Sequence, residues 1–256
     1  MIYVLTYLFI VLIMKLYIGN KNYSSWSMRP WLLLTHTGIA FDEVMVRFDS
    51  FGADSAFKAS LRGISPTGKV PVLVDGNTVI WDSLAIAEYV AEYVAKYVAE
   101  HDAASKPLIG RPIWPVDRVA RATARSVCAE MHSAFANLRS ACPMNIEARL
   151  PDVGALVWRD KPAVRTDVAR LVTLWRGLLQ TYGGPMLFGP FSVADAFFAP
   201  VCSRFVTYAL PLPDDIAAYV HRVGLLPCVQ AWNAAACAEH DFVDFQEPYR
   251  LRPPLA

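Results

Sequence analysis

The chain has 256 residues, 55% of them hydrophobic, with 24 Lys and Arg against 23 Asp and Glu. That length and apolar content suffice for two packed domains with their own cores and exclude a disordered chain. The near balance of charge leaves no overall field to recruit a nucleic acid or an anionic membrane surface, so a small-molecule enzyme is expected. The five cysteines (Cys128, Cys142, Cys202, Cys228 and Cys237) are odd in number and lack metal-ligand spacing. Reduced thiols in a cytoplasmic protein with no bound metal are the simplest account.

Residues 1–13 carry no charge. The run is shorter than the roughly 20 apolar residues a membrane span needs, and it lacks a basic n-region and a cleavage site. A membrane location is therefore not expected. A mis-called start, with Met14 as initiator, accounts for the segment; an accessory strand or a weak anchor is the alternative.

From there Lys15 to Gly19 reads as a strand ending in a turn-forming Gly-Asn-Lys-Asn cluster. A helix follows with Pro30 expected in its first turn and a stop at Gly38, which leaves Ser24 and Ser25 in the loop just ahead of it. Phe41 to Phe48 is a second strand and Asp54 to Leu61 a short helix or loop. Val70 to Val74 and Thr78 to Ile80 form a hairpin across Asp75-Gly76-Asn77, and a long helix starts near Ser83. This order predicts an α/β thioredoxin-like domain, a mixed sheet with helices on both faces.

Within the long helix Tyr89, Tyr93 and Tyr97 recur every four residues, on one face. Packing of that face on its own domain is expected, an interaction stripe being the alternative. Residues 102–115 shift to Pro, Gly and small residues and read as a linker. Beyond it, Val164, Val168, Leu171, Val172, Trp175, Leu178, Leu179 and Tyr182 keep helical spacing, so an all-α C-terminal helical bundle is predicted. The expected division is 14–101, linker 102–115, and 116–256.

Three stretches of the first domain carry candidate chemistry. In Tyr23-Ser24-Ser25-Trp26-Ser27-Met28-Arg29-Pro30-Trp31 the serines precede a helix N-terminus, whose free N–H groups and dipole stabilise an anion such as a thiolate. Lowering a thiol pKa from ~8.5 by about two units takes roughly 2.7 kcal/mol. A charge-assisted hydrogen bond of about 1.5–3 kcal/mol plus a dipole contribution of about 0.3–1 kcal/mol has that size. Plain helix capping by Ser24, Ser25 and Ser27 is the competing reading. In Lys69-Val70-Pro71-Val72-Leu73, a cis Val70-Pro71 bond would turn the Val70 backbone outward to pair with an extended peptide, whereas a trans edge-strand proline would not. In Trp81-Asp82-Ser83-Leu84, Ser83 can donate to a carboxylate and Asp82 can meet an ammonium, or the pair simply caps the next helix.

In this order and spacing the three stretches resemble the soluble glutathione S-transferase superfamily, over the chain from Met14 to near its end. The Ser-Ser-x-Ser-x-Arg loop is similar to the serine-type zeta and tau classes. The resemblance implies that Ser24 binds the glutathione sulfur, with Ser25 as substitute donor. It implies that Val70, beside cis Pro71, pairs with the cysteinyl backbone, that Lys69 helps hold a carboxylate, and that Asp82 and Ser83 fix the γ-glutamyl end. Asp82 stands where the family usually has Glu, one methylene longer. Ser192-Val193-Ala194-Asp195 resembles the family's buried capping box.

No cysteine precedes Cys128, so thiol-disulfide chemistry lacks a loop nucleophile. Arg29 is followed by Pro30-Trp31 rather than the Val-Arg of the zeta pattern. A glutathione transferase acting on a small electrophile is thus the expectation, with glutathione as co-substrate, a homodimer and a role in detoxification. A cis-trans isomerase of the maleylacetoacetate or maleylpyruvate type, and a non-catalytic glutathione-binding or stress-related interaction protein, are the alternatives. The electrophile is expected against the first helix of the bundle, where Cys128, His132, Phe135 and Arg139 share a face and His132 or Arg139 can steer an anion. A polar domain interface would account for those residues equally well.

Overall fold

The computed structural model describes residues 13–100 and 112–251. Strand β1 (Met14–Ile18) lies parallel to β2 (Phe41–Met45) and antiparallel to β3 (Val72–Asp75), which forms a hairpin with β4 (Thr78–Trp81), giving the order β2-β1-β3-β4. Parallel neighbours require a crossover, which helix α1 (Ser25–Thr37) supplies. Helix α2 (Ala56–Ser60) interrupts the β2–β3 connection and α3 (Ser83–Glu100) follows β4. In β1 the buried Met14, Leu16 and Ile18 alternate with exposed Lys15 and half-buried Tyr17. That period of two presses one sheet face on α1 and α3, through Leu32, Leu33, Ile86 and Val90. The other face carries a smaller cluster of Tyr23, Val46, Phe48, Phe57, Leu61 and Val243. This is a thioredoxin-like α/β layer.

Seven helices follow among the described residues: α4 (Arg118–Ser133), α5 (Ala136–Ala141), α6 (Pro151–Asp160), α7 (Pro162–Tyr182), α8 (Val193–Tyr208), α9 (Asp214–Gly224) and α10 (Pro227–Ala238). Helix α8 is buried along almost its whole length, as expected of a helix with no polar stripe. Around it Trp175 meets Phe198 and Tyr219 at centroid separations of 5.3 and 5.1 Å. Gly154 lets α6 approach α8 closely, since a Cβ there would sit 1.7 Å from the Tyr208 carbonyl oxygen. The thioredoxin-like layer followed by helices alone is the architecture expected from the sequence.

Several local expectations are corrected. Pro30 is the sixth residue of α1, not in its first turn, because the helix starts one turn earlier, at Ser25. It forgoes the bond that would run to the Trp26 carbonyl. Ser25 therefore belongs to the helix, and Ser24 is its cap residue. The buried stripe of α3 is Ile86, Val90 and Val94, with Tyr89 half-buried and Tyr93 exposed. Valine and isoleucine fit against the sheet without a hydroxyl to satisfy, whereas Tyr89 takes Asp75 as partner at 2.7 Å. Cys128, His132, Phe135 and Arg139 do not share one helix: Phe135 adopts a left-handed conformation (φ 59°) between α4 and α5. The segment 1–13 lies outside the described residues except for Ile13, as do Tyr97's side chain and most of the 102–115 stretch. Near the end of that stretch Ile113 and Trp114 are buried, with Trp114 Nε1 donating to Glu88 at 3.1 Å.

The Ser192–Asp195 box organises the start of α8. The fully buried Asp195 carboxylate accepts the Leu187 and Ser192 N–H groups at 3.1 and 2.9 Å and the Ser192 and Tyr219 hydroxyls, each at 3.0 Å. Asp195→Ala strands four buried donors, and we expect a stability loss of about 3 kcal/mol or more in urea unfolding. A loss below about 1 kcal/mol would contradict this role.

Candidate functional site

The β1–α1 connection sets the site. Its backbone is pinned from below by Ser27, whose Oγ accepts the Gly19 N–H at 3.2 Å, and from the bundle, where Trp232 Nε1 donates to the Lys21 carbonyl at 3.1 Å. The Asn22 side chain accepts the Glu147 N–H at 2.9 Å. Tyr23 is held by the segment after α10: its hydroxyl donates to Glu247 at 2.7 Å, and burial followed by that carboxylate pushes its pKa up to about 12. Asn145 and Arg250 also donate to Glu247. The loop therefore presents Ser24 and Ser25 from a fixed backbone.

Ser24 is nearly buried and its Oγ donates to Ser27 Oγ at 2.7 Å. Ser25 is half-buried at the first helical position. Both line a cavity of about 530 Å³ between the two halves of the chain, with Trp26, Lys69, Val70 and Arg139 also on its walls. A second cavity of about 390 Å³ is lined by Lys69, Val70, Pro71, Asp82, Ser83 and His132. The two share three residues, Trp26, Lys69 and Val70, so they adjoin as one trough. The structure thus brings every candidate site residue read from the sequence to this trough.

The Val70-Pro71 bond is cis. Asp82 has φ 76° and caps α3, accepting the Leu84 N–H at 2.8 Å, while its other oxygen lies 3.3 Å from His132 Nε2. Ser83 is 2% exposed and its Oγ has no hydrogen-bond partner among the described residues. Within the pair, therefore, Asp82 alone serves the helix.

Residues beyond those singled out from the sequence complete the site. Trp26 stands between the two cavities, with the Arg29 guanidinium 4.1 Å from its ring centroid, Arg139 at 5.4 Å and His132 at 5.0 Å. Arg29 is fully buried, donating to the Ser25 and Phe197 carbonyls at 2.6 and 3.2 Å. Arg204 of α8 lines the larger cavity and donates to the Cys142 and Pro200 carbonyls, each at 2.9 Å. A lone arginine inside the apolar run Phe197–Phe205 was a readable signal, because unpaired charge is rarely buried without use. Nothing in spacing pointed to Tyr23 or Glu247, which meet across 224 positions of sequence.

Among the described residues no group of His, Cys, Asp and Glu is placed to hold a metal ion, and no helix is long and apolar enough to cross a membrane. The sheet order and trailing helices define a glutathione-transferase-type fold. Residues 23–92 match the family model of the glutathione S-transferase N-terminal domain. A glutathione transferase homolog from Burkholderia strain BGR1, solved with bound glutathione, is 24% identical over 89% of this chain and 99% of its own, with a TM-score of 0.61. A glutathione S-transferase from the Antarctic clam Laternula elliptica is 21% identical over 90% and 95% of the two chains (TM-score 0.64). The Tau class enzyme from mango, Mangifera indica, is 18% identical over 88% and 96% (TM-score 0.62). No curated protein matches the chain by sequence. Residues 23–92 thus carry the sequence pattern of a glutathione S-transferase N-terminal domain, and the chain as a whole has the fold of these proteins, without a class being fixed.

An unpartnered buried hydroxyl costs stability unless something binds it. Ser83→Ala is therefore expected to leave the ligand-free protein unchanged or up to about 1 kcal/mol more stable by urea unfolding. A loss above about 1 kcal/mol would show that the hydroxyl is structural.

Proposed function

We propose that this protein is a glutathione transferase in which glutathione lies along the trough, its γ-glutamyl end at Asp82 and Ser83, its cysteinyl backbone against Val70 beside Pro71, and its sulfur at Ser24. Lys69 faces both cavities and serves a glutathione carboxylate. The observation that carries the reading is the continuity of the trough: two cavities joined through Trp26, Lys69 and Val70 link a free Ser83 hydroxyl to the serines at the α1 N-terminus.

The chemistry follows from the loop. Ser27 takes the Gly19 N–H and the Ser24 proton, and a hydroxyl rotates at little cost. On ligand binding Ser24 can accept from Ser27 and donate a hydrogen bond to the sulfur, stabilising the thiolate together with the helix N-terminus once the thiol proton has passed to solvent. The thiolate then attacks an electrophile held between the domains, near His132 and Arg139. Ser25 substitutes as donor if the sulfur lies one residue further along. A homodimeric, cytoplasmic detoxification enzyme is what the family resemblance adds.

Thiolate absorbance of bound glutathione against pH tests this on the wild type, Ser24→Ala and Ser25→Ala. We expect the bound thiol to titrate about one to two pH units below free glutathione, and one variant alone to return it most of the way, since a charged hydrogen bond contributes about 1.5–3 kcal/mol. A bound thiol that titrates like free glutathione favours a non-catalytic binding protein instead.

A further inference from the structure

The larger cavity has a wall that the thiolate reading does not use. Arg29, Arg139 and Arg204 converge behind and beside Trp26 from three helices, α1, α5 and α8, and none has a carboxylate salt-bridge partner among the described residues. Arg139 Nε and Arg29 Nη2 are buried without a hydrogen-bond partner. Arg204 commits Nε and Nη1 to the Cys142 and Pro200 carbonyls, which leaves Nη2 as the edge for the cavity it lines. Burial and the neighbouring guanidinium of Arg139 hold Arg204 down to about 10, and burial with the guanidinium groups of Arg204 and Arg139 lowers Arg29 well below the usual arginine range. The nearest carboxylates are already engaged: Asp167 accepts the Leu138 N–H at 2.9 Å, and Asp82 caps α3 and faces His132. Three clustered guanidinium groups with open N–H edges are a site for an anion. Phe51, Pro143 and Met144 supply apolar walls to the same cavity.

We propose that the second substrate is an anion, a carboxylate carried on an apolar or aromatic body, bound by Arg139 and Arg204 with Arg29 supporting the field from behind Trp26. This inference rests on the glutathione reading above for the placement of the sulfur. The carboxylate docks on the guanidinium pair, the apolar body lies against Phe51 and Met144, and the electrophilic carbon is turned toward Ser24. For a benzylic halide the thiolate sulfur forms the new C–S bond as the C–halogen bond breaks and halide leaves with the electron pair.

Calorimetric titration with glutathione, S-benzylglutathione and S-(4-carboxybenzyl)glutathione tests it on the wild type and on Arg139→Gln, which loses no protein hydrogen bond. We expect the wild type to bind the carboxybenzyl conjugate roughly tenfold or more tightly than the benzyl one, and Arg139→Gln to shrink that preference to about twofold. Arg204→Gln should act alike, with melting curves checking its packing. Equal affinities for the two conjugates overturn the proposal, as does a loss of affinity for plain glutathione in Arg139→Gln, which would assign the arginines to the tripeptide itself. If glutathione fails to bind, titration with 4-methylbenzoate against 4-methylbenzyl alcohol still reads the anion site. Arg139-dependent preference for the benzoate then upholds the anion site while the transferase reading falls, and no preference removes both.

Discussion

A guanidinium without solvent holds the site together. Arg29 lies between the sheet-bearing half and the bundle, and its hydrogen bonds reach one carbonyl on each side: Ser25 in the first turn of α1 and Phe197 in α8. Burying an unpaired charge costs several kcal/mol even after relaxation, so these bonds and the Trp26 ring at 4.1 Å must recover much of that cost. The same contacts fix the helix N-terminus, and with it Ser24 and Ser25, relative to α8. Any movement of the halves against each other would strand the charge, so these bonds hold the two halves in one arrangement at the serines.

Around that charge positive groups predominate. The α1 N-terminus, Arg29, Arg139 and Arg204 all favour a negative group near Trp26, and the polar contacts that neutralise them are carbonyl dipoles, not carboxylates. Such a field lowers the pKa of a bound thiol and attracts an anionic partner by one mechanism. Cys128 is close enough to Arg29 to feel that charge, yet burial outweighs it and pushes the thiol well up, so Cys128 is not a competing nucleophile.

The sequence made the sheet layer, the helical second half and part of the trough lining legible, because each depends on local signals: period-two burial in β1, the Gly38 stop, and the Ser-Ser, Val-Pro and Asp-Ser pairs. What it did not show depends on long-range packing. Pro30 misled because a proline in a helix interior is costly alone, yet the α1 start one turn earlier is held by Ser27, Arg29 and the bundle. The tyrosine stripe of α3 misled because spacing defines a face without saying which face is buried, and β-branched residues fit the sheet better. The break at Phe135 has no glycine or proline to announce it.

The segment after α10 closes the argument about order. Val243 is buried in the minor core beside Phe48 and Phe57, Asp241 accepts from Asn20 and Arg47, and Glu247 takes Tyr23, Asn145 and Arg250 at once. Asp241 and Glu247 lie 194 to 224 positions from their first-domain partners Arg47, Asn20 and Tyr23. The loop that presents the serines is therefore complete only when the end of the chain has docked on the first domain. Because these contacts are non-local, the geometry of the trough depends on the interface between the two halves.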